Sequence, residues 1–361
     1  MKLSNLFISA CMALCFTNCI KDEALNVEAA IDGCSGANIQ LLTFNDIRKE
    51  IDVYVLDGAN TAAQELIFQL PDGATIAATE PLATDVPPLY DFSQHTQRKF
   101  TVTSEDGSQQ VNYSINLYVM KLPLKYSFEN LAEKDPYHIF YLTDIDGRLQ
   151  WASGNPGFKL TGMGSNGMDY PTAQAGSGKV GNCVKLETKT TGSFGEMVNM
   201  PIAAGNLFIG SFDVQNAINH PLEATHFGFP FTREPERLKG YYKFKAGSQP
   251  VNISGKDKCD IYAVLYEAPQ SDFFLSGGNS LNDKSIVLKA QISPEDIVEK
   301  DEWTAFDLPF VAQNGKSIVQ EDLAAGKYKL AVVFSSSVEG AYFKGAIGST
   351  LWIDEVEIIC K

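Results

Sequence analysis

Short β-type runs, separated by turn-forming residues, are the feature that most constrains how this chain can fold. Residues 51–55, 111–117 and 258–267 are rich in Val, Ile and Tyr, and many such runs are bounded by Gly, Pro, Asn or Asp. β-branched and aromatic residues favour strands, whereas Gly and Pro clusters mark turns. Because helix-period patterns are few, the sequence predicts an all-β fold.

Length and charge limit the domain organisation and the partners. The chain has 361 residues, of which 44% are hydrophobic, enough for two or three domains with packed cores. Its 29 Lys and Arg are outnumbered by 44 Asp and Glu, which gives a net charge of −15. A nucleic-acid backbone would require a basic surface. We therefore expect no nucleic-acid partner, and a neutral ligand, or one with cationic groups, fits better.

The first nineteen residues are predicted to be a signal peptide rather than part of the fold. Lys2 supplies a positive charge, and residues 6–16 form an apolar run that is too short to span a bilayer. The run is followed by Cys19, as in bacterial lipoproteins, in which such a cysteine is lipidated and begins the mature chain. This resemblance implies a lipid anchor on Cys19. The alternatives are Cys11, which leaves almost no apolar run ahead of it, and an ordinary secretory signal.

A short tether, residues 20–25, follows the predicted lipidation site. It contains Lys21, Asp22 and Glu23, which resemble the surface-export signal of Bacteroides lipoproteins. The resemblance implies an outer-membrane lipoprotein that is exposed at the cell surface, and the membrane is then a partner through the lipid anchor.

Residues 26–121 are predicted to form a small immunoglobulin-like sandwich. Residues 100–103 and 111–117 flank Asp106-Gly107, which is typical of a β-hairpin tip. Short strands recur throughout this region, as in immunoglobulin-like folds. The pattern resembles the spacer domains at the base of Bacteroides surface lipoproteins, which implies a role in holding the next domain away from the membrane.

A second all-β domain is predicted at residues 126–361. Its most unusual stretch is 225–242, which is rich in Phe, Tyr, Pro and Arg. Pro is excluded from central strands and disfavours a helix before it. We therefore expect Pro230 and Pro235 to force an exposed aromatic loop that grips a flat ligand.

Several motifs of this domain resemble one family in the right order. The segments that carry the resemblance are residues 204–208, 227–232, 240–243, 261–267 and 345–356. They resemble the putative carbohydrate metabolism domain of Bacteroides lipoproteins, across most of residues 126–361. The resemblance implies a jelly-roll sandwich similar to carbohydrate-binding modules, and it brings no known catalytic residues. The expected fold is thus an immunoglobulin-like sandwich followed by a larger jelly-roll β-sandwich.

Glycan binding is the leading functional hypothesis for the second domain, in support of polysaccharide capture or utilisation. Sugar rings stack their C–H faces on exposed aromatic side chains, and their hydroxyls hydrogen-bond to planar polar groups. Adjacent strand residues point to opposite faces, so only one of two neighbouring tyrosines can point inward. The candidate ligand-binding residues are Trp151, Asn155, Tyr170, Phe229, Arg233, Tyr241 and Tyr242.

Two alternatives remain open. A glycoside hydrolase on the same sandwich would need two facing carboxyl groups, and sequence spacing does not show which acids meet. The acids considered are Glu129, Asp144, Asp146, Glu187, Glu196, Asp213, Glu234 and Glu236. A structural or adhesive surface subunit is the second alternative, which an exchangeable edge strand would favour.

Metal and thiol chemistry give weaker signals. By analogy with carbohydrate-module jelly rolls, Glu129 and Asp354 are candidate ligands of a structural calcium ion; no other cofactor is expected. The four His show no zinc-binding spacing, and no nucleophile motif appears. Four cysteines outside the signal allow three disulfide pairings, among which the sequence does not choose. They are Cys34, Cys183, Cys259 and Cys360. Cys259 and Cys360 lie in or beside apolar strands, so buried free thiols are the open alternative to a disulfide.

Overall fold

A computed structural model describes residues 24–132, 136–142 and 149–361. The predicted signal peptide with Cys19 lies outside the described residues, as do Asp144 and Asp146. The described chain forms two compact units. The smaller comprises residues 24–37, 42–53 and 60–117, and the larger comprises 38–41, 54–59 and the described part of 118–361.

The smaller unit is built on a five-stranded sheet with strand order β2-β3-β9-β8-β6, in which β8 is antiparallel to both β6 and β9. In addition, β1 pairs with β5, and β4 pairs with β7. The strands are β1 (Gly33–Ser35), β2 (Ile39–Asn45), β3 (Glu50–Val55), β4 (Gln64–Glu65), β5 (Ile67–Gln69), β6 (Thr75–Ala78), β7 (Leu89–Tyr90), β8 (Gln97–Thr103) and β9 (Gln110–Val119). The predicted hairpin is confirmed, because Val102 pairs with Val111 across a turn in which Gly107 has φ 71°. The immunoglobulin-like assignment of this unit stays a prediction.

The larger unit contains the remaining described strands, all of them antiparallel to their partners. They are β10 (Lys125–Tyr126), β11 (Thr172–Ala175), β12 (Cys183–Glu187), β13 (Lys189–Thr190), β14 (Ile202–Ala203), β15 (Asn206–Phe208), β16 (Gly210–Phe212), β17 (Thr225–Phe227), β18 (Phe229–Pro230), β19 (Pro235–Lys245), β20 (Gln249–Val251), β21 (Asp260–Glu267), β22 (Ile286–Gln291), β23 (Lys300–Pro309), β24 (Val311–Ala312), β25 (Tyr328–Ser335), β26 (Gly345–Ile347) and β27 (Thr350–Cys360).

Helices are few and short in the described residues. The α-helices are α1 (Asn155–Lys159), α2 (Gly192–Met197), α3 (Asn216–Asn219) and α4 (Gln320–Ala324). Single 3-10 turns occur at Thr61–Ala63, Gly167–Asp169 and Gly340–Tyr342. None of the described helices has the length and apolar character needed to cross a membrane. The prediction of an all-β sandwich fold is confirmed.

Two main sheets of the larger unit pack face to face. The first sheet has the order β11-β12-β27-β19-β23, with β10 beside β27, and the second has β15-β25-β21-β22-β24, with β18 beside β25. Leu238 and Ile353 of the first sheet share one buried cluster with Ile261, Leu265 and Phe334 of the second. Because strand residues alternate between faces, every second residue enters this core and the others face outward.

Strand β19 shows the alternation clearly, because its buried residues are separated by half-buried or exposed ones. Tyr242 is buried in the core between the sheets, whereas Tyr241 lies on the outer face of the first sheet. The prediction that only one of these neighbours points inward is confirmed.

The second sheet is covered on its outer face as well. Phe208, Tyr262, Val264 and Val333 point away from the central core and form a separate buried cluster with Phe227. Their neighbours along the same strands, such as Leu207, belong to the central core. The second sheet therefore separates two hydrophobic layers, and the outer layer contains the cavity described below.

The expectation of an exposed aromatic loop at 225–242 is wrong. Phe227, Phe229 and Phe231 are all buried, and the exposed part of the stretch between the strands is confined to Thr232 and Arg233. Pro230 ends the two-residue strand β18, and Pro235 is the first residue of β19. Proline is tolerated at such strand ends because no central ladder hydrogen bond is lost.

Cys34, Cys183 and Cys259 are buried free thiols, and Cys360 is a half-buried one. Burial raises the pKa of the Cys183 thiol to about 11, which disfavours the reactive thiolate.

Candidate functional site

A row of polar residues crosses three neighbouring strands at one end of the second sheet. Asn206 of β15 pairs with Ser335 of β25, which pairs in turn with Asp260 of β21. We call Asn206, Ser335 and Asp260 the polar row. Two residues further along each strand, on the same face, Phe208, Val333 and Tyr262 form an apolar row. The outer face thus offers hydrogen-bonding groups beside a hydrophobic floor.

A cavity of about 330 Å³ lies over this floor. Its walls come from α1, α2, α3 and the connecting segments around 277–282 and 337–343. Pro156 in the first turn of α1 suits a helix start, where no backbone N–H is needed. Gly192 begins α2 with φ 63°, a conformation that favours glycine. The volume lies at the lower end of the range typical of small-molecule sites.

The cavity lining is mainly apolar. Asp260 supplies the one carboxyl group among the described lining residues, and no Lys, Arg or His side chain is among them. The larger apolar and aromatic members are Phe158, Leu160, Pro171, Phe194, Val198, Met200, Ile202, Phe208, Phe212, Ile218, Pro221, Phe227, Tyr262, Leu281, Val333, Val338, Tyr342 and Phe343.

Asp260, the carboxyl group of the described lining, has a pKa that burial shifts away from its ordinary value. Its side chain is almost fully buried, with the residue 4% exposed. The Gln291 Nε2 group donates to both carboxylate oxygens, at 3.1 and 3.2 Å. Burial raises the pKa of Asp260 to about 6, and the hydrogen bond from Gln291 opposes that rise only in part. Near neutral pH this group can therefore accept a hydrogen bond as a carboxylate or donate one as an acid.

Several buried polar groups of the lining hydrogen-bond to each other or to the backbone, but one does not. The Asn206 Oδ1 atom accepts from the Gly154 backbone N–H at 2.7 Å, and the Tyr262 and Ser280 hydroxyls hydrogen-bond at 2.9 Å. The Thr225 Oγ1 atom is buried and has no hydrogen-bond partner among the described residues. An unpaired buried hydroxyl is costly, so it is a ready contact for a polar ligand group.

A buried carboxylate anchors the segment that forms one side of the cavity mouth. The Asp257 Oδ2 atom accepts from the Ser337 hydroxyl at 2.6 Å, the Ser349 hydroxyl at 2.6 Å and the Ala346 backbone N–H at 2.7 Å. Ser337 begins the segment that leads to Tyr342. Charge-assisted hydrogen bonds of this kind are strong, so this side of the mouth is firmly attached to the sandwich.

The mouth itself carries an exposed aromatic ring. Tyr342 lines the cavity and is 52% exposed. Phe343 follows in the left-handed region, with φ 56°, and lines the cavity too. An exposed ring at a cavity mouth can stack on a flat apolar ligand surface.

The predicted ligand-binding aromatics are placed elsewhere. Trp151, Tyr170, Phe229 and Tyr242 are 3%, 2%, 8% and 2% exposed, so the expectation of an exposed aromatic shelf is wrong for these four. The Trp151 ring packs against other rings of the central core, including Phe334 at 5.9 Å between ring centroids. Side chains of this size are buried because they contribute most to a sandwich core.

The other three predicted residues do not meet at the cavity either. Asn155 is fully buried, where its amide exchanges two hydrogen bonds with the Thr172 backbone, at 2.8 and 3.1 Å. Arg233 is exposed in the short connection before β19. Tyr241 lies on the outer face of the first sheet, with the Lys179 Nζ atom 4.9 Å from its ring centroid. None of the seven predicted ligand-binding residues lines the cavity.

The predicted calcium ligands lie on one side of the first sheet. The Asp354 Oδ2 atom accepts from the Val180 backbone N–H at 3.0 Å, and the Glu129 Oε1 atom accepts from the Asn182 backbone N–H at 2.9 Å. No group of three or more His, Cys, Asp or Glu side chains in the described chain could hold a metal ion. Backbone N–H groups already donate to both carboxylates, and calcium binding by Glu129 and Asp354 stays a prediction.

Sequence reasoning missed the residues that do line the cavity. Asp260, Asn206 and Tyr342 belong to segments far apart in the sequence, so their meeting depends on strand register. One local signal was present, because Asp260 opens a strand that is otherwise apolar up to Glu267. A charged residue at the head of a buried strand is a candidate for a functional group.

Comparisons with known proteins agree with a carbohydrate-related domain. The sequence profile described as "Putative carbohydrate metabolism domain" matches residues 127–359. A solved structure described as a putative glycoside hydrolase from Bacteroides thetaiotaomicron VPI-5482 is 42% identical, with a TM-score of 0.76, and the match covers 94% of this chain and 99% of that one. A second putative glycoside hydrolase, from Bacteroides vulgatus ATCC 8482, is also 42% identical, with a TM-score of 0.61, over 66% of this chain and 98% of that one. No curated protein matches.

Proposed function

We propose that this chain, which belongs to the putative carbohydrate metabolism domain family, binds a neutral glycan in the cavity on the outer face of its second sheet. The observation that carries the proposal is the polar row beside an apolar floor. Planar amide and carboxyl groups suit sugar hydroxyls, and the Tyr342 ring at the mouth suits a pyranose face.

The charges support a neutral ligand over an anionic polysaccharide. The cavity lining has no described cationic side chain, and its carboxyl group belongs to a protein with a net charge of −15. An acidic sugar would meet repulsion without a compensating ion pair.

The cellular setting is part of the same proposal. Cys19 follows an apolar leader and precedes Lys21, Asp22 and Glu23, which supports a lipoprotein at the outer surface of the outer membrane. Two or more acyl chains would anchor the protein stably. The smaller unit then serves as a spacer, and the larger unit supports polysaccharide capture or utilisation.

Binding to a glycan array tests the proposal. We expect residues 24–361 to bind at least one neutral glycan, and Tyr342→Ala to weaken binding about tenfold because a stacking contact is lost. Phe44→Ala, which removes another exposed ring in the smaller unit, is the matched control and should bind normally. Absence of binding across a broad array, or equal binding by Tyr342→Ala, contradicts this proposal.

Hydrolysis is the second candidate, favoured by the raised pKa of Asp260 and by relatives described as putative glycoside hydrolases. Hydrolysis by the usual mechanism needs two carboxyl groups, roughly 5–9.5 Å apart. Asp260 alone supplies one in the described lining. New reducing ends that appear with the wild-type protein and disappear with Asp260→Asn would favour hydrolysis, whereas glycans bound and recovered intact favour binding alone.

A further inference from the structure

The cavity is less polar than a sugar alone would require. Beyond the polar row, its floor and walls are formed by side chains such as Phe208, Phe212, Phe227 and Val333. A sugar hydroxyl buried against such walls would lose hydrogen bonds to water and gain none. The polar row can satisfy hydroxyls at one end of the strands, but the rest of the cavity favours hydrocarbon.

The mouth of the cavity is lined by apolar side chains as well. Leu160, Ile218 and Val338 line the cavity and are all exposed to solvent, as is Tyr342. Isolated exposed apolar residues are common, but several around one opening form a patch of the kind that marks a ligand-binding site. This patch extends the apolar surface from the floor to the protein exterior.

The volume is sufficient for two chemically different parts of one ligand. A cavity of ~150 Å³ lined by apolar residues accommodates benzene, so about 330 Å³ leaves room for an apolar group beside a sugar unit. The unpaired Thr225 hydroxyl, on the apolar side, offers one further hydrogen bond to a substituent there.

We infer that the cavity binds an amphipathic glycoside, a neutral sugar that carries a hydrocarbon or aromatic aglycone. The sugar hydroxyls bond to the polar row, and the aglycone lies on the apolar row and against Phe212. This inference rests on the proposed function and narrows it from glycans in general to glycosides with an apolar substituent.

Calorimetric titration of residues 24–361 tests the inference with matched ligands. The probes are octyl β-glucoside, octyl β-galactoside and dodecyl maltoside, each below its micelle concentration. Glucose, galactose and maltose are the sugar controls, and an octyl tetraethylene glycol ether is the control without a sugar. We expect at least one alkyl glycoside to bind about tenfold or more tightly than its free sugar, because its chain leaves water.

Two variants test whether the alkyl chain of the ligand occupies the apolar side of the cavity. Ala217→Phe fills the apolar side, since the Ala217 Cβ atom and the Phe212 ring lie together beside Gly157. It should abolish the advantage of the alkyl chain and leave affinity for the free sugar within about twofold. Asn219→Phe, on the same helix but outside the lining, is the control and should bind like the wild type. Thermal melts confirm that both variants fold.

The outcomes separate the inference from the proposed function. Equal affinity for a free sugar and its alkyl glycoside overturns the inference while glycan binding stands. Equal affinity for the alkyl glycosides and the octyl ether overturns both the inference and the proposed function, because the polar row then does not recognise the sugar. Absence of binding by every alkyl glycoside overturns the inference, and the glycan array alone then decides the proposed function.

Discussion

Replacing Asp260 by Asn should stabilise the larger unit at neutral pH. A buried carboxyl group that binds its proton more tightly in the folded state than in the unfolded state opposes folding once it ionises. The substitution removes that charge, and the Asn Oδ1 atom can still accept the hydrogen bond from Gln291. The structure therefore predicts that a residue of the candidate site lowers stability, as functional residues often do.

The magnitude follows from the pKa. Each tenfold change in acidity is worth roughly 1.36 kcal/mol, so a rise from 3.8 to about 6 corresponds to about 3 kcal/mol when the group is fully ionised. The pKa of Asp260 is higher in the folded state than in the unfolded state. The protonated group therefore costs the folded state nothing below about pH 4, and the unfolding free energy falls by this amount as the pH rises through about 6. About half of the loss falls between pH 5 and pH 7.5.

The assay is urea denaturation of the wild type and Asp260→Asn at pH 5.0 and pH 7.5. All three Trp, at positions 151, 303 and 352, lie in the larger unit, so their fluorescence reports its unfolding separately from the smaller unit. The gain in unfolding free energy on substitution should be about 1.5 kcal/mol larger at pH 7.5 than at pH 5.0.

A matched variant controls for the change in net charge. Asp301→Asn removes one negative charge from an exposed position on β23 of the first sheet and should show no such pH dependence. If Asp260→Asn destabilises the larger unit equally at both pH values, Asp260 does not carry a raised pKa. The case for a titratable group in the cavity is then refuted.

Three further predictions concern other parts of the chain. The Arg98 guanidinium forms a bidentate ion pair with Asp85 at 2.6 and 2.7 Å, and both side chains are 5% exposed. Arg98→Met should thus destabilise the smaller unit by about 3–5 kcal/mol in hydrogen exchange, whereas Arg48→Met at an exposed pair should change it by less than about 1 kcal/mol. Millimolar calcium should raise the melting temperature of the wild type and not that of Glu129→Gln, and an unchanged wild-type melt contradicts the calcium site. Cys19→Ala should move the protein from the membrane fraction to the soluble fraction, and persistent membrane attachment contradicts lipidation.

Local sequence patterns predicted the features that depend on neighbouring residues. The hairpin around Gly107 and the opposite facing of Tyr241 and Tyr242 follow from turn chemistry and strand alternation. The all-β class follows from the same short-range signals. Expectations of this kind need no knowledge of which strands pair.

The candidate site could not be predicted in the same way. Asn206, Asp260 and Ser335 come together only through the register of β15, β21 and β25. The prediction that the candidate aromatic residues are exposed was wrong for a related reason. The sequence alone does not show whether an aromatic residue fills a core or lies on a surface. Phe229 and Trp151 are both buried by partners that are distant along the chain.

The second sheet, with one hydrophobic layer on each side, has a consequence for how this domain can diversify. The inward side chains of β15, β21 and β25 secure the sandwich, whereas the outward ones pack against Phe227 of β17 and the short helices and connections around the cavity. Exchanging those connections would alter the shape and chemistry of the recess without removing the framework beneath it. Homologous chains can therefore acquire new ligands through loop replacement while their strand order stays constant.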